Sequence, residues 1–171
     1  MNKNKVKTRQ ASPNDYDAIH DLVAAAFKTG KMPYDHEENY VRDLRKRKTF
    51  LPDLELVAEL EEKIIGHIMF SKHPIGEHQS LLLSPLCVKL EFRNLSIGEK
   101  LVYAGFERAS EIGYTSAFLV GYPDYYGKFG FKEIGAFGIV NDSGISDTFV
   151  LGCEIREGGL SEVRGSIGML E

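Results

Sequence analysis

The stretch Leu81–Leu101, LLLSPLCVKLEFRNLSIGEKL, decides how this chain is read. Ser80–Val88 is an almost unbroken apolar run, the pattern of a central strand covered on both faces. Pro85 interrupts it, and a proline supplies no ladder N–H, so a bulge or a splay in the sheet is expected there. A polar loop follows. From Gly98 to Ile112 the residues Leu101, Val102, Gly105, Phe106, Ala109 and Ile112 recur on one helical face. Lys100, Glu107, Arg108 and Glu111 lie largely outside it, and Gly113 supplies the stop. A tight loop that turns a strand into a helix aims several backbone N–H groups in one direction, at the positive end of the helix dipole. That is an anion site suited to a pyrophosphate. The Gly-x-x-x-x-Gly-Lys-Ser/Thr pattern of a phosphate-binding nucleotidase loop is absent, as is the three-glycine dinucleotide fingerprint, which argues against a kinase or a dehydrogenase.

Working outward, Lys5–Arg9 reads as a short strand closed by the turn-like Ala11-Ser12-Pro13-Asn14. Ser12 or Asn14 caps the next helix, in which Ile19, Leu22, Val23, Ala26 and Phe27 recur as far as Gly30. A second helix is expected over about residues 37–48, ending in Arg42, Arg45, Lys46, Arg47 and Lys48. This charge run reads as a solvated face favoured at a helix C-terminus, or more sharply as an anion contact. From Leu54 the period becomes two: Leu54–Leu60, the charged tip Glu61-Glu62-Lys63 and Ile64–Ser71 form a hairpin. Downstream, Ser116–Val120 is a buried strand and Gly121-Tyr122-Pro123 breaks the chain. A short helix covers roughly 124–129 and Gly130 ends it, with strands following near 132–139 and 148–155. The whole reads as one α/β domain, residues 1–171.

Composition sets the outer limits. Of 171 residues 43% are hydrophobic and 27% charged, enough for a sizeable core and unlike a disordered chain. Lys and Arg number 21 against 25 Asp and Glu, a net charge of −4, so the basic footprint of a nucleic-acid binder is lacking. The basic N-terminus has no apolar run behind it, and no stretch reaches the roughly 20 apolar residues of a membrane span. Cys87 and Cys153 sit in apolar strands and read as buried small hydrophobes in a reducing compartment. The expectation is a soluble cytoplasmic protein with neither membrane nor nucleic-acid partner.

Two segments carry a family resemblance. Val88–Leu101 is similar to the acyl-CoA-binding motif of the GNAT N-acetyltransferase superfamily, Arg/Gln-x-x-Gly-x-Gly/Ala after a bulged strand and at the start of a long helix. Arg93, Asn94, Leu95, Ser96, Ile97 and Gly98 fill its six places. YYGKFGF at Tyr125–Phe131 resembles the family's tyrosine–x–x–x–glycine–phenylalanine signature, and the element order agrees over about residues 6–155. The implied fold is a mixed central sheet splayed at its bulged fourth strand and flanked by helices. The implied activity is transfer of an acetyl group from acetyl-CoA to a primary amine, by direct attack in a ternary complex. The chain departs from the pattern twice. Ser96 stands where the first motif glycine is usual, and its Cβ crowds a backbone approach if positive φ is required. The family's frequent asparagine ahead of the tyrosine is missing, with Leu119 and Val120 in that place.

The resemblance assigns cofactor contacts to Leu86, Cys87 and Val88, whose backbone would bond the pantetheine arm, and to Arg93, Asn94, Leu95, Ser96, Ile97, Gly98 and Glu99 around the pyrophosphate. Tyr125 packs against the cofactor or the core. Tyr126 matches the tyrosine that protonates the leaving thiolate, since a phenol of pKa about 10 still holds its proton at neutral pH. The general base is open among Glu59, His67, Ser84 and Asp124, with a structural role favoured for His67. His20, His36, His73 and His78 show no metal-ligand spacing, so no metal is expected. A non-catalytic acyl-CoA-binding sensor or regulator is the alternative. A homodimer is compatible with this reading, although no segment specifies one.

Overall fold

The computed structural model describes residues 5–29 and 37–168. Gly30 and His36, two positions used in the sequence reading, lie outside them. The strands are β1 (Lys7–Gln10), β2 (Phe50–Leu60), β3 (Lys63–Lys72), β4 (Leu81–Val88), β5 (Ser116–Val120), β6 (Lys132–Glu133), β7 (Val140–Asn141), β8 (Val150–Glu154) and β9 (Ser166–Ile167). The helices are α1 (Tyr16–Lys28), α2 (Glu37–Leu44), α3 (Ile97–Glu111) and α4 (Pro123–Tyr126). The strands bond in the order β1-β2-β3-β4-β5-β8-β6, with β7 and β9 as a separate pair. The fold is thus mixed α/β, as the sequence indicates. The described residues divide into two compact units: those up to Phe70 with Ser84–Arg108, and Ser71–Leu83 with those from Ala109 onward.

In the first unit β1 runs antiparallel to β2, from Lys7 opposite Glu59 to Gln10 opposite Leu56. The β2–β3 hairpin closes through Glu61 and Glu62, both left-handed at φ 49° and 63°. This is the backbone that a two-residue hairpin loop demands, here met by glutamates rather than the usual Asn-Gly. Strand alternation then sorts the side chains. Val57, Met69 and Cys87 face Ile19, Leu22, Val23 and Ala26 of α1 and Val41 and Leu44 of α2 in one buried cluster. Gly66 and Phe70 face the other way, toward α3. A Cβ at Gly66 would stand 3.0 Å from Leu101 Cδ1, and one at Gly105 would stand 2.4 Å from the Phe70 ring, so helix and strand meet where side chains are missing. Ahead of α1, the N–H and hydroxyl of Ser12 both donate to Asp15 Oδ2, at 2.7 and 2.9 Å. The bidentate Arg9 guanidinium, with the Ser12 bonds, holds the Asp15 carboxyl well below the usual carboxylate range. Ser12 precedes a 3-10 turn at Pro13–Asp15 that leads into the helix, and the N-cap position of α1 itself falls to Asp15 rather than to either expected residue.

A polar group lies on the α1–α2 side of this sheet. Glu55, 1% exposed, and His67, 0% exposed, are bonded through Nε2 and Oε1 at 3.0 Å. Arg45 donates to the same carboxylate from Nε at 3.1 Å and from Nη2 at 2.5 Å, and stacks 3.6 Å above the Tyr16 ring. Burial alone would raise the Glu55 carboxyl; the bonds from His67 and Arg45 outweigh it and hold the group below its ordinary value. Burial pushes the His67 imidazole down, so it stays neutral. This corrects the reading of the charge run as a solvated face at one residue, Arg45; Arg42, Lys46, Arg47 and Lys48 are exposed as that reading expects. α2 ends at Leu44 rather than near Lys48, and the chain beyond it turns Arg45 inward to neutralise Glu55. Arg42 and Lys46 pair with Asp43, and Arg47 lies 5.9 Å from the Tyr40 ring.

In the second unit β5 and β8 are antiparallel over their full lengths, Ser116 opposite Glu154 and Val120 opposite Val150, and β6 adds outside β8. β4 joins β5 in parallel through Leu81 and Leu82. Ile75, Phe118, Ile134, Ile139, Val150, Leu160, Val163 and Ile167 form the buried core. Two expected strands are shorter than the sequence suggests. After Lys132–Glu133 the chain coils into a 3-10 turn at Ile134–Phe137 that delivers Ile134 to the core, and a second such turn, Asp147–Phe149, precedes β8. Ile112 falls beyond the end of α3 and is 38% exposed, rather than continuing its buried face.

The His67 environment sets a pH dependence. A histidine held neutral in the folded state takes up a proton on unfolding once pH falls below its unfolded value of about 6.5. Its contribution is therefore complete above that pH and is lost as pH falls, at about 1.4 kcal/mol per pH unit. His73 and His78, also pushed down by burial, add in the same direction. Urea unfolding between pH 7.5 and 5 should show stability falling with pH, and His67→Gln should flatten that slope by one proton's worth. Equal slopes in the two proteins would remove His67 from this account.

Candidate functional site

In the first unit the candidate site is the end of β4, the loop after it and the start of α3. Cys87 turns into the apolar cluster beneath α1 and α2, while Leu86 and Val88 are half-buried. Ser84–Pro85 is a cis peptide bond. Beyond β4 the Lys89 N–H donates to Ile65 O at 2.9 Å, and Leu90–Phe92 make one 3-10 turn. Arg93 is extended, and then Asn94 and Ser96 are both left-handed at φ 60°, on either side of Leu95. Asparagine tolerates that region; a serine there costs on the order of 1 kcal/mol. The Lys100 N–H donates to Ser96 O, its helical partner, at 3.1 Å. In the first turn, Ile97 and Gly98 have no intrahelical carbonyl to bond, the ordinary condition of a helix start. The residues expected around a pyrophosphate, Arg93–Glu99, thus form one continuous curve of backbone into α3. The conformation that Ser96 adopts is the one for which a glycine is usual.

The Arg93 side chain points back into the protein. Its Nε donates to Val88 O at 3.2 Å, Nη1 to Thr29 O at 3.3 Å, and Nη2 to Ala26 O at 3.0 Å and Thr29 Oγ1 at 2.9 Å.

In the second unit the candidate residues follow β5. Tyr122 is the extended residue before α4, Pro123 opens that helix, and Gly127–Phe129 tighten into a 3-10 turn closed by Gly130 at φ +88°. This single turn sets a cluster of rings. Tyr126 lies 4.9 Å from Tyr125, 6.4 Å from Phe129 and 5.8 Å from Phe131, mostly edge-on, an arrangement aromatic rings favour. Tyr125 is exposed, with the Lys128 ammonium 4.5 Å from its ring centre, whereas Tyr126 is half-buried. Gly121 allows this placement, because a Cβ there would stand 2.6 Å from Tyr126 Cε2. In the sequence Gly121 reads only as a chain breaker; the close packing of strand end and ring carries no local signal.

The general-base candidates separate by environment. Glu59 accepts from Arg9 Nε at 2.9 Å, and His67 is sealed against Glu55, in keeping with the structural role expected of it. Ser84 is half-buried and Asp124 exposed. Neither cysteine is in a disulfide, and both are buried. Cys153 Sγ donates to Phe129 O at 3.2 Å, and burial, with Glu154 nearby, pushes its thiol up to about 12. Among the described residues no group of His, Cys, Asp and Glu is arranged to hold a metal, and no helix is long and apolar enough to cross a membrane.

Comparison with known proteins bears on what these elements are. The family model described as "Acetyltransferase (GNAT) family" matches residues 16–131, which takes in both the Arg93–Gly98 loop and the Tyr126 turn. The uncharacterized N-acetyltransferase YjhQ of Escherichia coli is 31% identical over 123 residues, 70% of this chain and 65% of that protein. The uncharacterized N-acetyltransferase YhbS of the same organism is 34% identical over 70% of each chain. Among solved structures, YhbS in complex with CoA shares the fold at a TM-score of 0.86, with 24% identity over 96% of this chain and 89% of that one. A GNAT family acetyltransferase from Brucella melitensis in complex with acetyl-CoA has a TM-score of 0.69 and 32% identity, over 74% and 82% of the two chains. With a family model spanning well over half of its residues, the chain belongs to the GNAT family of acetyltransferases.

Proposed function

We propose that this protein is an acetyl-CoA-dependent N-acetyltransferase, a single domain over residues 1–171 that acetylates a primary amine. The observation that carries the reading is the backbone of Arg93–Gly98, left-handed at Asn94 and Ser96 and opening α3, in a chain of this family. The acetyl-CoA complex of the Brucella relative supports the same co-substrate here.

On this reading the N–H groups at the start of α3 and in the preceding loop receive the pyrophosphate, where the helix dipole favours negative charge. Backbone groups of Leu86–Val88 bond the pantetheine arm and polarise the thioester carbonyl. A donor oriented at a developing oxyanion contributes on the order of 3 kcal/mol. The amine nitrogen bonds to the carbonyl carbon as the carbon–sulfur bond breaks, and the electron pair leaves on sulfur. Tyr126 gives its phenolic proton to that thiolate, while the proton lost by nitrogen passes to water or to a base not assigned among Glu59, Ser84 and Asp124. The net acidic chain favours a cationic acceptor over an anionic one.

Four outcomes test this. Acetyl-CoA titrated calorimetrically should bind, and a panel of primary amines should yield free thiol. Tyr126→Phe should lower turnover by roughly 10²- to 10⁴-fold with little change in CoA affinity. Binding without thiol release on any amine would favour the non-catalytic sensor, and no binding at all would end the proposal. Gly121→Ala should displace the Tyr126 ring and lower turnover more than tenfold (about 1.4 kcal/mol in the barrier), with the fold retained by circular dichroism; unchanged rates would show that the ring position is immaterial. Ser96→Gly should raise the unfolding free energy by about 0.5–1 kcal/mol and keep or tighten CoA binding, because glycine adopts φ 60° without strain. Weaker binding would instead assign the serine hydroxyl to a phosphate.

A further inference from the structure

We infer that Arg93 acts as a positioning residue, fastening the loop before α3 to the C-terminal end of α1 so that the two segments respond to CoA together. In the sequence Arg93 is a motif residue of an anion site, and its charge invites assignment to phosphate. The geometry assigns that charge elsewhere. A guanidinium has five N–H donors in a rigid fork. One from Nε, one from Nη1 and two from Nη2 are already directed at Val88 O, Thr29 O, Ala26 O and Thr29 Oγ1. A bidentate grip on a phosphate needs two parallel N–H groups, and these bonds leave a single one.

The four acceptors belong to chain segments far apart in sequence. Val88 ends β4, so the Nε bond closes the loop on itself across five residues. Ala26 and Thr29 are the last turn and cap of α1, 67 and 64 residues away. Carbonyls of the last helical turn sit at the negative end of the dipole, so a cation there is favoured, and Ala26 O takes the Arg93 donor beside that of the Thr29 N–H. Thr29 completes the junction, since its hydroxyl accepts from Arg93 and donates to Ala26 O at 3.1 Å. The loop carries two non-glycine residues in left-handed conformation one and three positions after Arg93, and a fastening at Arg93 opposes their relaxation. Lysine cannot replace this contact, because one ammonium on a flexible stem does not span three carbonyls and a hydroxyl in one plane.

The affinity part of this inference rests on the proposed CoA reading; the mechanical part does not, and the experiment separates them. Backbone hydrogen exchange is measured on the full chain for wild type, Arg93→Gln, Arg93→Lys and Thr29→Val, each with and without CoA, with thermal midpoints confirming the fold. Without CoA, both Arg93 variants should exchange about tenfold faster at residues 94–98 and also at residues 26–29, with Thr29→Val intermediate and serving as the readout should the Arg93 variants not fold. With CoA, wild type should gain protection at residues 26–29 as well as in the loop. Arg93→Lys and Arg93→Gln should bind about tenfold more weakly and lose the protection at 26–29 alone. Exchange identical to wild type at both segments in the variants would overturn the inference. A wild type that binds no CoA would overturn the proposed function while the exchange without CoA still decides the role of Arg93.

Discussion

A charge turned inward organises the start of α3 in the first unit. The Arg93 guanidinium is engaged by Val88 O, Ala26 O, Thr29 O and Thr29 Oγ1, and the backbone that follows it must turn through two left-handed residues to start α3. The division of labour is physical. On the proposed reading, side-chain charge holds the loop from behind and leaves peptide N–H groups, weak singly and numerous together, for the anion. Neutral donors fixed in space select an anion by geometry and demand no reorganisation when it arrives.

The other buried charges follow the same economy. Glu55 is an acidic residue in the middle of a strand, where alternation places it among core side chains, and it is tolerated because Arg45 and His67 meet it directly. Such a group fixes arrangement more than it adds stability, since removing one partner leaves an uncompensated charge in an apolar setting. It also specifies how the residues after α2 lie, because Arg45 has to reach Glu55 while its plane rests on Tyr16.

The elements with strong periodicity were legible from sequence: α1 through Ile19, Leu22, Val23 and Ala26, the two-residue-period hairpin, β5 without a residue's error, and α3 within one residue at each end. So was the family, because a strand–loop–helix motif and an aromatic turn stood at the right separation. What escaped were features made by contacts distant in sequence. Arg45 looks like any surface arginine in a basic run until Glu55 is brought beside it. The residues 134–137 alternate like a strand, yet Ile134 reaches the core of the second unit from a 3-10 turn. Gly121 and the Arg93 contacts belong to the same class. The left-handed backbone at position 96 lay between these cases: the motif glycine implied it, and the serine bears it.

The two sulfurs have a practical corollary. Cys87 is walled in by aliphatic side chains, and Cys153, donating to the Phe129 carbonyl, ionises only near pH 12. Electrophiles and oxidised thiols attack thiolates, so neither position offers them a ready target at neutral pH. Maleimide chemistry at one cysteine introduced on the surface would thus label that site selectively, against a silent native background.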